Sequence, residues 1–133
     1  MALTADKKTE WMEGRDIVFK NRVFQKIHAG ALVSIIWIPV QQQFCLLPAS
    51  DTANESVLGI ALESKEVAEK SLLVRTTGVV KLKFSGSVNY PPGSDVYIVD
   101  DETVSCDATT NNIVAGKLVM LDDDPNYAWV RIG

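Results

Sequence analysis

The chain is poor in the side chains that most chemistry needs: its 133 residues contain two cysteines and a single histidine. Cys45 and Cys106 are too few for a disulfide framework and lack the paired C-x-x-C spacing of a structural zinc site, so free, partly buried thiols are expected. His28 cannot by itself build a multi-histidine metal site, and its place between Ile27 and the turn at Ala29-Gly30 reads as structural. Long apolar runs are also missing. The stretch 29–40 is interrupted by Ser34 and Pro39 and falls short of the roughly 20 residues of a membrane span, which predicts a soluble protein with no membrane partner.

Basic charge is scarce as well, with 13 Lys and Arg against 17 Asp and Glu and a net charge of -4. Counterion release on phosphate needs clustered Lys and Arg, so nucleic acid is not an expected partner. The opening MALTADKKTEWMEGRD is charged where an export signal would be apolar, which predicts synthesis in a cytosol.

Catalytic and binding motifs are absent in the same way. No G-x-G-x-x-G or Walker loop offers a phosphate cradle, and no G-x-S-x-G elbow offers a nucleophile. The acidic runs 100–102 and 122–124 lack calcium-loop spacing and read as solvated hairpin tips. Cys45 lies in the apolar run Phe44-Cys45-Leu46-Leu47, where burial opposes thiolate formation. Whether two acids face each other as a glycosidase pair cannot be read from spacing. The expectation is a non-enzymatic protein with no catalytic residue, no cofactor and no metal.

What is present is a strand pattern. At 47% hydrophobic residues the chain can bury a core as one domain. From Ile17 onward, β-branched residues alternate or cluster in short runs separated by Gly, Pro, Asn and Asp. Candidate strands are 17–19, 24–27, 32–38, 43–47, 57–62, 72–76, 79–84, 95–99, 113–121 and 128–132. Only 65–71, with Glu66, Ala68, Glu69 and Lys70, has good helix formers, and a helical turn is expected there. The fold class is therefore all-β, a compact barrel or sandwich of about ten short strands.

An internal echo runs through these strands. Gly30-Ala-Leu-Val33-Ser-Ile35 is matched by Gly93-Ser-Asp-Val96-Tyr-Ile98, Val57-Leu-Gly59 by Val114-Ala-Gly116, and Val74-Arg75 by Val130-Arg131. Two related β units, 27–84 and 90–133, are the expectation. Gly30 and Gly93 fit turns that need positive φ, and Gly59 and Gly116 fit bulges or close backbone approaches within strands.

The first 22 residues stand apart. They carry five basic and four acidic residues, while the remainder holds eight and thirteen, so nearly all the negative charge lies in the body. The organisation read from this is an arm, 1–22, followed by an all-β domain, 23–133. Trp11, a lone aromatic among charges, is the candidate partner anchor, with Arg15 and Arg22 beside it. Trp37 and Trp129 lie in strand runs and are expected in the core.

The runs Leu58-Gly59-Ile60-Ala61-Leu62-Glu63, Leu73-Val74-Arg75-Thr76-Thr77-Gly78-Val79-Val80-Lys81-Leu82, Pro92-Gly93-Ser94-Asp95-Val96-Tyr97 and Val114-Ala115-Gly116-Lys117-Leu118 resemble the capsid decoration, or cement, proteins of tailed bacteriophages. The resemblance covers about residues 17–133 and rests on glycine and valine spacing. It implies a compact β domain, a homotrimer, the major capsid protein as partner, and a place on the outer surface of the virion. It carries no catalytic residue. The longer, charged connection 64–71 and the Trp-containing arm depart from the family pattern. The alternative reading is a carbohydrate-binding β module of a phage tail or fibre, with Trp37 or Trp129 as the sugar platform. A trimeric β enzyme acting on nucleotides is a third, without a phosphate loop to support it.

Overall fold

The structure is a computed structural model that describes residues 16–133. The fold is all-β. Its strands are β1 (Asp16–Phe19), β2 (Arg22–Val23), β3 (Leu32–Ile38), β4 (Gln43–Pro48), β5 (Ser56–Ala61), β6 (Leu72–Arg75), β7 (Gly78–Ser85), β8 (Asp95–Ile98), β9 (Thr103–Ser105), β10 (Val114–Leu121) and β11 (Tyr127–Ile132). The first six form one sheet in the order β1-β6-β5-β3-β4-β2, and the other five form a closed barrel in the order β10-β11-β7-β9-β8.

The two sheets repeat one another pairing for pairing. Hairpins β3–β4 and β8–β9 correspond, as do the antiparallel pairs β3–β5 with β8–β10 and β5–β6 with β10–β11. In the second unit, β7 pairs antiparallel with β11 and, at its far end, parallel with β9. In the first unit β1 pairs with β6 and β2 runs parallel to β4, with Lys20 and Asn21 interrupting what is one continuous strand in the second. The repeat read from the sequence is present, but its boundaries move. The units span 16–75 and 78–132, because β7 opens the second unit rather than closing the first.

The echoed glycines explain why the repeat is visible at all. Val33 faces Gly59 and Val96 faces Gly116, and at both places the ladder slips by one residue. A Cβ at Gly59 would fall on the carbonyl oxygen of Arg75, and one at Gly116 on that of Arg131. Only glycine permits the strand to pass that close. Gly30 and Gly93 both have φ of 93°. Their amides donate to the carbonyls of Ala61 and Leu118, at 2.8 and 2.7 Å.

Core positions match in the same register. Val33, Ile35, Leu46 and Val74 in one core correspond to Val96, Ile98, Val104 and Val130 in the other. Leu58 and Ala61 correspond to Ala115 and Leu118, so large and small residues exchange places and the filled volume is kept. The second core also takes in Leu32, Ala49, Val57 and Ile60 from the first unit, which joins the halves. A further tie is Asp51, whose carboxylate accepts from the amides of Thr110 and Asn111, each at 2.9 Å.

Four expectations need correction. Residues 16–22 of the expected arm belong to the fold: they contribute β1, in agreement with the strand expected over 17–19, and Arg22 of β2, and they place half-buried Phe19 against the first core. Residues 65–71 form no helix. Their backbone pairs with 23–27 instead, through Ile27 N to Lys65 O, Lys65 N to Ile27 O, Ala68 N to Val23 O and Val23 N to Glu69 O. A φ of 77° at Ala68 is incompatible with a helical turn there. Segment 24–27 accordingly forms no strand, with a bridge at Ile27 and the Phe24 amide donating to the Leu46 carbonyl at 2.7 Å, and β9 is additional to the expected set.

Candidate functional site

The units differ most at one hairpin. In the second unit, β8 and β9 end at the pair Ile98–Val104, and the turn closes at once because the Asp100 carboxylate accepts from the amides of Glu102 and Thr103 at 2.9 and 2.8 Å. In the first unit the matching pair, Ile35–Leu46, is followed by three more rungs: Ile36–Cys45, Trp37–Phe44 and Ile38–Gln43. Strand side chains alternate, so Trp37 and Phe44 continue the face that carries Val33, Ile35 and Leu46 into the core. The first core stops before they do.

Trp37 is therefore 47% exposed and Phe44 52% exposed, and Val40 at the turn is 93% exposed. The expectation of a core Trp37 is overturned. The two rings pack edge to face with centroids 5.1 Å apart, which pre-orders them as one apolar surface. Half-exposed aromatics of this kind leave on the order of 100 Å² each to water. No charged residue occurs from Ala29 to Ser50, in a chain where 23% of residues are charged. Aromatic enrichment with charge depletion is the composition of interface cores.

The projecting rungs also have open edges. β5 pairs with β3 only as far as Ile35, and β2 pairs with β4 only at Cys45 and Leu46. Asn21 Nδ2 donates to the Phe44 carbonyl at 3.2 Å, which steadies the base of the ribbon.

Of the residues singled out in the sequence, Trp11 and Arg15 lie outside the described residues. Arg22 is half-buried on β2 in register with Cys45, beside the hairpin. Burial pushes the Cys45 thiol above its ordinary pKa, against a smaller lowering by Arg22, and burial raises the free Cys106 likewise. Trp129 is half-buried on β11, and its Nε1–H donates to Asp122 at 3.2 Å. That bond, with Lys81 nearby, holds the Asp122 carboxyl below its usual range.

His28 is exposed, lining a shallow depression of about 300 Å³ with Ala29, Gly30, Ala31, Asp101 and Glu102. Burial, and then the neighbouring Asp100 and Glu102 charges, raise the Asp101 carboxyl. Among the described residues, no group of three His, Cys, Asp or Glu side chains converges to hold a metal ion. A second groove, about 150 Å³, is apolar and lined by Ile60, Leu62, Val79, Val80 and Ile132, with Arg75 and Thr77 at its edge. Comparison with known proteins finds no matching family model, curated protein or solved structure.

Proposed function

We propose that this chain is a non-enzymatic capsid decoration protein that binds the outer surface of an assembled phage head and stabilises contacts between major capsid protein subunits. The observation that carries the reading is the projecting, charge-free Trp37–Phe44 hairpin on a doubled β body. Such a body presents a preformed protein-binding face at little ordering cost. The glycine and valine spacing that resembles the decoration family is the same spacing that sets the two bulges and turns of the repeat.

The physical action of such a protein is mass-action stabilisation. A ligand that binds the assembled shell and not the dissociated subunits adds RT ln(1 + [L]/Kd) per site, about 2.7 kcal/mol at a hundredfold excess over Kd, and many sites act together. Weak individual contacts suffice.

Co-sedimentation of the purified protein with expanded heads of the phage that encodes it tests the reading, together with heat resistance of heads with and without it. Binding and a raised disruption temperature are expected. Heads that neither bind the protein nor gain heat resistance would overturn it. The exposed Trp37 favours one second reading, a carbohydrate module. Glycan-array binding lost in Trp37→Ala, with no head binding, would replace the first reading by that one.

A further inference from the structure

We infer that the segment before β1 folds back on its own domain and lodges the Trp11 side chain in the apolar groove between β5, β7 and β11. The inference goes beyond the decoration reading and is tested on the protein alone, so either can fail without the other.

Direction comes first. β1 runs antiparallel to β6 with Asp16 opposite Arg75, so the chain enters β1 from the side on which β6 continues into Thr76, Thr77 and Gly78. Arg75, Thr77, Gly78, Val79 and Val80 line the groove. Asp16, Arg75 and Ile60 stand in one rung across β1, β6 and β5, and side chains paired in a rung share a face. That face is the one on which the groove opens, since Arg75 and Ile60 both line it. The Asp16 carboxylate accepts from Arg75 Nε at 2.9 Å and from Nη2 at 3.3 Å, which fixes the entry point of the segment at the groove's rim.

Reach comes second. Neighbouring strands lie about 4.8 Å apart, so Ile60, two strands from Asp16, is about 10 Å away. Trp11 is five residues before Asp16. Five residues span up to about 17 Å, which leaves slack, and Gly14 between the two permits a turn. Trp37 does not compete for the groove. Leu32 faces Ile60, and Trp37 stands five residue steps farther along the same strand, about 17 Å away.

Chemistry selects the indole. The groove has a volume of about 150 Å³, room for one large side chain, and Ile60, Leu62, Val80 and Ile132 make its walls aliphatic. Val79 at its mouth is 46% exposed, apolar surface that a docked side chain would cover. Trp11 is the largest apolar side chain among residues 1–15. The Arg75 charge is already answered by Asp16, and its guanidinium offers a plane on which an indole face can stack. Thr77 lines the groove as well, and its hydroxyl oxygen is buried without a hydrogen-bond partner. An indole Nε1–H that leaves water needs an acceptor, and this hydroxyl is an unused one. Met12 has the same reach but no donor to offer.

Nuclear Overhauser effects on the full chain test this, read from the Trp11 indole, assigned by its loss in Trp11→Phe, to the methyl groups of Ile60, Val79, Val80 and Ile132. They are expected in a uniformly labelled sample and absent between copies in a mixture of differently labelled ones. Val79→Lys puts a charge at the groove's mouth and is expected to abolish them without changing the circular dichroism spectrum. Trp11→Ser is expected to lower the melting temperature by about 3–6 °C. In the Val79→Lys chain the same substitution is expected to have no further effect, because both changes remove one contact. Folded wild-type protein without these Overhauser effects would overturn the inference, as would effects that persist in folded Val79→Lys or that arise only between copies. Additive melting shifts would overturn it too.

Discussion

At the scale of single residues, two glycines and one carboxyl decide the most. Gly59→Ala and Gly116→Ala each set a methyl group against a backbone carbonyl that no rotamer can avoid. Each is expected to lose about 2–3 kcal/mol in denaturant unfolding, and a loss below about 0.5 kcal/mol would show that the strands can part there. Asp101 lines the depression beside His28. Its carboxyl is raised in the folded state by burial and by Asp100 and Glu102, so the folded chain holds its proton to higher pH than the unfolded chain does. Stability therefore falls as pH rises through the window from the ordinary carboxylate value to the raised one, and the penalty persists at neutral pH. Asp101→Asn is expected to raise Tm at pH 7, by less than about 1 kcal/mol equivalent after solvent screening, and to lose that advantage in acid. Equal melting of the two proteins at pH 7 would contradict the assignment.

At the scale of elements, the sequence made most strands legible and misled at three. The alternation in 32–38 reads correctly as a strand, but alternation cannot report where the core beneath it ends. Trp37 therefore looks like core until the third coordinate shows that on its face the last core-packed rung is Ile35 and Leu46. Residues 65–71 carry helix formers, yet their amides and carbonyls are taken by 23–27, and tertiary pairing overrides propensity. β9 has three residues and closes the barrel through β7 and β8, too short a run to announce itself. The start of the fold at Asp16 decides where the chain can be shortened. Removing residues 1–22 takes away β1 and Arg22 of β2, with Phe19 from its place against the core, and is expected to unfold the first unit. Removing 1–15 leaves every described pairing intact and is expected to keep the circular dichroism spectrum, while weakening head binding if Trp11 and Arg15 serve as anchors. Loss of folded structure in the shorter deletion would show that these residues support the sheet.

At the scale of the whole molecule, two units with one plan have diverged in closure. The second is a barrel with every strand paired on both sides, whereas the break at Lys20 and Asn21 leaves the first sheet open. Local opening follows unpaired edges, so the slowest amide exchange is expected in β7, β10 and β11, with β1 and β2 exchanging faster. Uniform protection across both units would indicate a single cooperative body in which the break has no effect. The repeat itself was legible because backbone constraints, glycine at a bulge and glycine at a positive φ, tolerate no substitute. The unit boundaries were not legible, because β7 follows β6 after two residues and nothing in composition marks the change.

The first and last described residues meet at that same short link. Asp16 is opposite Arg75 in the sheet, and a Cβ on Gly133 would touch Thr76 and Thr77. The order in which the chain visits its strands is thus nearly circular. A peptide joining Gly133 to Asp16, with new ends opened at Gln41 and Gln42 in the hairpin turn, would preserve every strand pairing. Such a permuted protein would carry its termini where the native one carries Trp37 and Phe44, turning the proposed binding tip into a pair of loose ends while the sheet and the barrel behind it stay whole.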